Sequence, residues 1–138
     1  MRVEKPKVDW GSPKGICRLC LKAILNRKGE QDMRRNWHPE CWEKYDFFTS
    51  NGTVRREVFK RDKGLCRACG LDTVKFMANL TPDSKAALSV LPRVTFWDAD
   101  HVVRLADGGS HDMANLQTLC VTCHRSKCGD ETRKEVRA

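Results

Sequence analysis

WDADHVVRLADGGSHDMANLQTLCVTCHRSKC, residues 97–128, is the stretch on which the reading of this chain turns. It sets an acidic residue beside a histidine, Asp100-His101. A Gly108-Gly109 turn, Asn115-Leu116 and finally Leu119-Cys120-x-x-Cys123-His124 follow in order. A D-H pair alone is common in any sequence; the whole order, with Cys66-Arg-Ala-Cys69-Gly70 upstream, is hard to reach by chance. Residues 92–103 are β-branched and aromatic enough to predict a strand, with a bulge near Asp98 to Asp100. Strict alternation puts Asp100 and Val102 on one face of it and His101 on the other. Asp107-Gly108-Gly109 turns the chain, and Ser110 to Leu119 returns it as a loop with a short second strand. A final helix should start near Cys120 or Val121. On it, Cys123 and His124 point about 100° apart and so face different partners.

The composition limits the possibilities. A chain of 138 residues that is 32% charged and 40% hydrophobic buries little apolar core and needs staples. Its eight cysteines fall as two C-x-x-C pairs with His or Cys partners downstream, and residues 1–15 lack the apolar run of a signal peptide. Zinc thiolates in a reducing, cytoplasmic compartment fit better than disulfides. No run of apolar residues is long enough for a transmembrane helix, so no membrane partner is expected. The formal net charge is +8, and two thiolate-bound zinc ions would bring it to about +5. That balance favours nucleic acid over an acidic small substrate, although a basic pI often reflects only a solvated surface.

Taken in order, residues 1–15 read as an extended lead-in with Trp10 as a tack. Residues 16–50 form a finger module: Cys17-x2-Cys20-x17-His38-x2-Cys41 suits a closed tetrahedral Zn2+ site. The competing reading keeps Cys17 and Cys20 as a metal or redox pair with His38 on the surface. Between the pairs a hairpin or loop turns at Lys28-Gly29, its basic tip (Arg27, Lys28, Arg34, Arg35) open to phosphate or to solvent. Residues 42–48 predict a short helix whose Trp42, Tyr45 and Phe48 pack the finger against the rest. Ser50-Asn51-Gly52 ends it, and Thr53 caps the next helix, which stops at Gly64. Thr81-Pro82 could start a further short helix. Cys128 is left over as a helical thiol, and His111 as a loop residue.

Residues 53–130, and most closely 100–124, resemble the HNH nucleases. The resemblance implies a small zinc-stabilised α+β protein: a ββα-metal (His-Me finger) core in a nuclease domain over residues 53–138, after a finger with three cysteine ligands and one histidine. It pairs Cys66 and Cys69 with Cys120 and Cys123 as a second structural zinc site. It assigns Asp100 and His124 as ligands of a catalytic divalent ion, Mg2+ or another. His101 becomes the general base that takes a proton from water, and Asn115 the residue that keeps His101 aimed. The implied activity is endonucleolytic hydrolysis of double-stranded DNA, by nicking or double-strand cutting, with Arg104, Arg125 and Lys127 as phosphate contacts. A double-strand cut by one site takes two copies or two events, which makes a homodimer or larger complex compatible with it. A non-catalytic zinc module that binds nucleic acid, or an RNA-directed nuclease with the same site, are the alternatives.

Overall fold

In the computed structural model of the chain, residues 5–137 are described. Two compact units divide it, one up to Val54 and one from Arg55 onward. Residues 1–4, the start of the expected lead-in, lie outside the described residues, but the lead-in past them is not loose. Asp9 N–H donates to Arg18 O (2.9 Å) and Gly15 N–H to Arg35 O (2.8 Å), which ties this segment into the first unit. Gly15 sits at φ +82°, where an added Cβ would meet Gln31 and Met33 at 2.8 Å. Only glycine closes that turn without strain.

The first unit has little apolar core beyond Cys17, Ile24 and Val54. Bridges Ile16↔Ala23 and Leu25↔Gln31 make a small hairpin, turned at Gly29 with φ +79°. Helix α1, Pro39–Thr49, starts on a proline, whose missing N–H costs nothing there. Trp42 and Tyr45 on α1 pack against the finger's own Trp37 (5.3 and 5.2 Å), and Trp10 closes on Trp37 and Tyr45 (6.1 and 5.9 Å). Aromatic edges and faces thus supply packing contacts that this short segment lacks in aliphatic residues, with Trp10 and Trp42 still exposed. The next helix, α2, runs Asn51–Asp62. Its cap is Ser50 rather than Thr53, because Ser50 Oγ accepts the Thr53 N–H (3.2 Å), the hydrogen bond an N-cap makes to the third helical residue.

In the second unit, α3 (Thr73–Ala78) is capped by Asp72 and α4 (Pro82–Ala87) by Thr81, each accepting a backbone N–H of the first turn. Strand β1 (Trp97–His101) pairs antiparallel with β2 (Leu116–Cys120), and α5 (Val121–Arg137) follows β2 with no intervening loop. The strand is shorter than its composition predicts, and its register runs without a bulge from Trp97↔Cys120 to His101↔Leu116. Residues 92–96 have strand-like side chains but no partner strand, and Phe96 is used as core instead. That core gathers Cys66, Met77, Val90, Phe96, Leu119, Cys120 and Val121, with Phe76 and Phe96 at 4.6 Å.

A buried carboxylate joins α2 to the sheet. Asp62 accepts from Arg61 Nε (2.6 Å) and from Thr118 N and Oγ1 (3.2 and 3.0 Å). The Arg61 guanidinium, then Thr118, holds Asp62 below the usual carboxylate range against the cost of burial. Among the described residues, no helix is long and apolar enough to cross a membrane.

Candidate metal centres and active site

Two clusters of metal-ligating side chains stand out, each with its ligand atoms within 4.8 Å of one another. In the first unit these are Cys17, Cys20, His38 and Cys41. The Cys17–Cys20 knuckle closes through Leu21, at φ +61°, whose N–H donates to Cys17 O (2.9 Å). His38, the N-cap residue of α1, and Cys41 in its first turn complete the set. His38 Nε2 lies 3.2 Å from Ala23 O and Nδ1 3.3 Å from Cys20 Sγ. With Nε2–H donating to the carbonyl, Nδ1 keeps its lone pair for a metal. Burial opposes ionisation of Cys17, but backbone N–H groups of Cys20, His38 and Leu19 bring it down to about 6. Burial and the neighbouring Cys17 and Cys20 push Cys41 up to about 12. Four such donors crowded together repel one another until a cation sits among them, and the donor set suits zinc chemistry.

In the second unit the cluster is Cys66, Cys69, Cys120 and Cys123. Gly70 at φ +76° closes the first knuckle. Cys120 ends β2 and Cys123 lies in the first turn of α5. Burial opposes ionisation of Cys66, and backbone N–H groups of Cys120, Cys69 and Ala68 bring it down to about 6. The adjacent Cys120, then burial, pushes Cys123 up. All eight cysteines are free thiols, with Cys128 exposed on α5 and outside both clusters.

The acidic face of β1 meets α5. Asp98 and Asp100, two apart on a regular strand, leave it on the same side. His124 Nδ1 is 3.0 Å from Asp98 Oδ2 and His124 Nε2 is 3.7 Å from Asp100 Oδ1. The other Asp100 oxygen accepts from Gln117 Nε2 (3.0 Å) and Lys127 Nζ (2.5 Å). Burial of Asp98 raises its pKa, but Arg93 and then His124 outweigh it and hold the carboxyl below its ordinary range.

His101 ends β1 on the opposite face from Asp100. Its Nε2 contacts His111 Nδ1 at 2.9 Å. Burial first, and His111 second, hold His101 below the ordinary 6.5. Beyond it Asn115 braces the loop: Oδ1 accepts the Val103 N–H (2.9 Å), and Nδ2 donates to Val103 O (2.9 Å) and Ser110 O (2.7 Å). Asp112 caps the turn that carries Asn115, accepting its N–H at 3.2 Å. A Cβ on Gly109 would lie 2.0 Å from Val103 O, so this loop closes only around glycine.

Three cations expected to contact phosphate have partners within the protein. Arg104 pairs with Asp107 (2.8 Å) and Glu135 (2.5 Å), and Lys127 with Asp100 and the carbonyl oxygen of His101. Arg125 donates to Leu88 O and Ser89 O (2.9 and 2.8 Å), both neutral acceptors. Two residues outside the expected set contact its members: Asp98 meets His124, and His111 meets His101. Asp98 was signalled by its spacing of two from Asp100. His111 had no such signal, since only the closed loop brings it to His101.

Residues 85–130 match the family model described as HNH endonuclease. The protein named DNA annealing helicase and endonuclease ZRANB3 of Bos taurus is 26% identical over 150 aligned positions, which cover 90% of this chain and 14% of that protein. The Mus musculus and Homo sapiens proteins of the same name are 26% and 25% identical, over 69% of this chain and 11% of their own lengths. The chain thus spans a small fraction of these relatives. The crystal structure of the human ZRANB3 HNH domain is 26% identical, with a TM-score of 0.47 over 64% of this chain and 97% of that one. Residues 85–130 of this chain are thus similar to the HNH endonuclease family.

Proposed function

We propose that the chain is a metal-dependent endonuclease that hydrolyses phosphodiester bonds of DNA. The observation that carries this reading is the approach of Asp100 Oδ1 to His124 Nε2 across 3.7 Å. That gap is wider than a hydrogen bond and spans an ion bound at about 2.0–2.2 Å by each atom. A hard carboxylate oxygen and an imidazole nitrogen suit Mg2+, Mn2+ or Zn2+, and a site with two protein ligands leaves positions for water and phosphate oxygens. When bound, such an ion would neutralise charge on the scissile phosphate and on the departing 3′ oxygen.

The chain's own residues supply the rest. With His101 Nε2–H donating to His111 Nδ1 across their 2.9 Å contact, His101 Nδ1 keeps the lone pair. It takes a proton from water as the water oxygen attacks phosphorus and the P–O3′ bond breaks. The products are a 5′-phosphate and, once the departing oxygen takes a proton from solvent water, a 3′-hydroxyl. Asp100 and His101 leave β1 on opposite faces, so the phosphate is proposed to sit at the strand end, where the two faces meet. Asn115 holds the loop that leaves this end through Val103 and Ser110. The ββα order of β1, β2 and α5 and zinc in both cysteine clusters complete the reading, and the names of the relatives favour DNA as the substrate.

Supercoiled plasmid incubated with the protein and Mg2+ or Mn2+ tests this, with EDTA and His101→Ala as controls. Nicked or linear product is expected from the wild type, and removal of the base should lower the rate by about 10²–10⁴-fold. Intact plasmid accompanied by a gel shift would instead mark a non-catalytic binding module.

A further inference from the structure

We propose that Asp98 is a positioning residue for the metal site: its carboxylate holds the Nδ1 proton of His124 and so turns the Nε2 lone pair toward Asp100. The inference rests on the reading of His124 as a metal ligand. Distances divide the two carboxylates between two roles. Asp98 Oδ2 is 3.0 Å from His124 Nδ1, a hydrogen-bond length, and the other oxygen of Asp98 is already engaged by guanidinium groups. Asp100 Oδ1 lies 3.7 Å from Nε2, where an ion at about 2.0–2.2 Å from both atoms fits. The two ring nitrogens diverge, so a cation taken by Nε2 and Asp100 cannot also be held by the Asp98 oxygen on Nδ1.

Asp98 is itself aimed. Its Oδ1 accepts from Arg93 Nη2 at 2.6 Å and lies 3.5 Å from Arg55 Nη1, which leaves Oδ2 for the histidine. Neither guanidinium swings freely. Arg55 stacks on Trp97 at 4.1 Å and donates to Thr95 Oγ1 at 2.9 Å. Arg93 donates to the carbonyl oxygens of Thr95 and Trp97, both at 3.2 Å. Two cations cradle a carboxylate that can only accept, and the proton between it and His124 must therefore sit on Nδ1. Of the two neutral imidazole tautomers, this selects the one that exposes Nε2. A carboxylate on the far nitrogen also makes the ligand nitrogen more basic, and partners of this kind change metal affinity by about 10–100-fold.

The test uses the full chain with zinc loaded in both cysteine clusters, and reads binding rather than turnover. Nitrogen-15 NMR of His124 reports the tautomer, and Mn2+ titration followed by electron paramagnetic resonance reports affinity. In the wild type Nδ1 should carry the proton. Asp98→Ala should abolish that preference and weaken Mn2+ by about 10–100-fold, and Asp98→Glu should restore part of both. If Asp98→Ala loses its zinc or its melting transition, Asp98→Asn decides: it keeps an acceptor but not the charge, and about tenfold weaker Mn2+ binding is expected. An unchanged tautomer or unchanged Mn2+ affinity in the folded variant overturns the proposal. His124→Ala separates the two readings. If it weakens Mn2+ binding while Asp98→Ala does not, only the role of Asp98 falls; if it has no effect, the ligand reading falls and this one with it.

Discussion

At the level of single residues, the pair His101 and His111 couples the proposed chemistry to pH. His101 acts as a base only when neutral, and burial together with His111 holds its pKa below 6.5. Activity should therefore persist at pH 6.5 and fall as the pH drops through the lowered value. Removing the second imidazole raises the pKa of the first, so His111→Ala should move the acid limb of a kcat/KM profile to higher pH. A limb left in place would show that His111 does not act on the base. His111 also marks where sequence reading stops. Asp100, His101 and His124 stand in a recognisable order because the order of residues is local information. The contact between His101 and His111 exists only after the loop from Val102 to Asn115 has closed. Asp98 lies between these cases: its spacing of two from Asp100 places it on the same strand face, but nothing local says that Arg93 and Arg55 will hold it there.

At the level of elements, the loop between β1 and β2 is built with no slack. Asn115 reaches back to Val103 and Ser110, and Gly109 lies where any Cβ would strike the Val103 carbonyl. Gly109→Ala should destabilise the second unit by about 1–3 kcal/mol through overpacking, measured by thermal or denaturant melting. A melting point equal to the wild type would mean that the loop can shift to make room. The limits of β1 were less legible than this turn. Residues 92–96 carry strand-forming side chains, but pairing needs a partner, and β2 reaches only from Leu116 to Cys120. Strand propensity reports a fit to a pleated surface, not the presence of a neighbour.

Over the whole molecule, charge and cysteine behave differently as guides. The cysteine spacing led directly to the first cluster and, with the family resemblance, to the second, since ligands that must meet one ion tolerate little variation in the intervening turn. The basic residues were less informative: Arg104 and Lys127 are matched by carboxylates of the same chain, so net charge overstates what is offered to a polyanion. The clusters lie in separate compact units. Each should accordingly bind its ion without the other. Elemental analysis of the purified protein should find two zinc equivalents, and Cys41→Ser should lose one while keeping the second and the melting transition of the second unit. Loss of both equivalents from that single change would contradict independent units.

Cys123 and His124 are consecutive residues in one helical turn, the first in the cysteine cluster and the second facing the two aspartates. Scaffold and chemistry are in this way wired in series. On the proposed function, a chain deprived of zinc, or with its thiols oxidised, would not become a careless nuclease with loosened control. It would lose the turn that presents His124 and, on the proposed reading, fall silent: the cluster would then act as a fuse, disarming the protein before it could cut DNA.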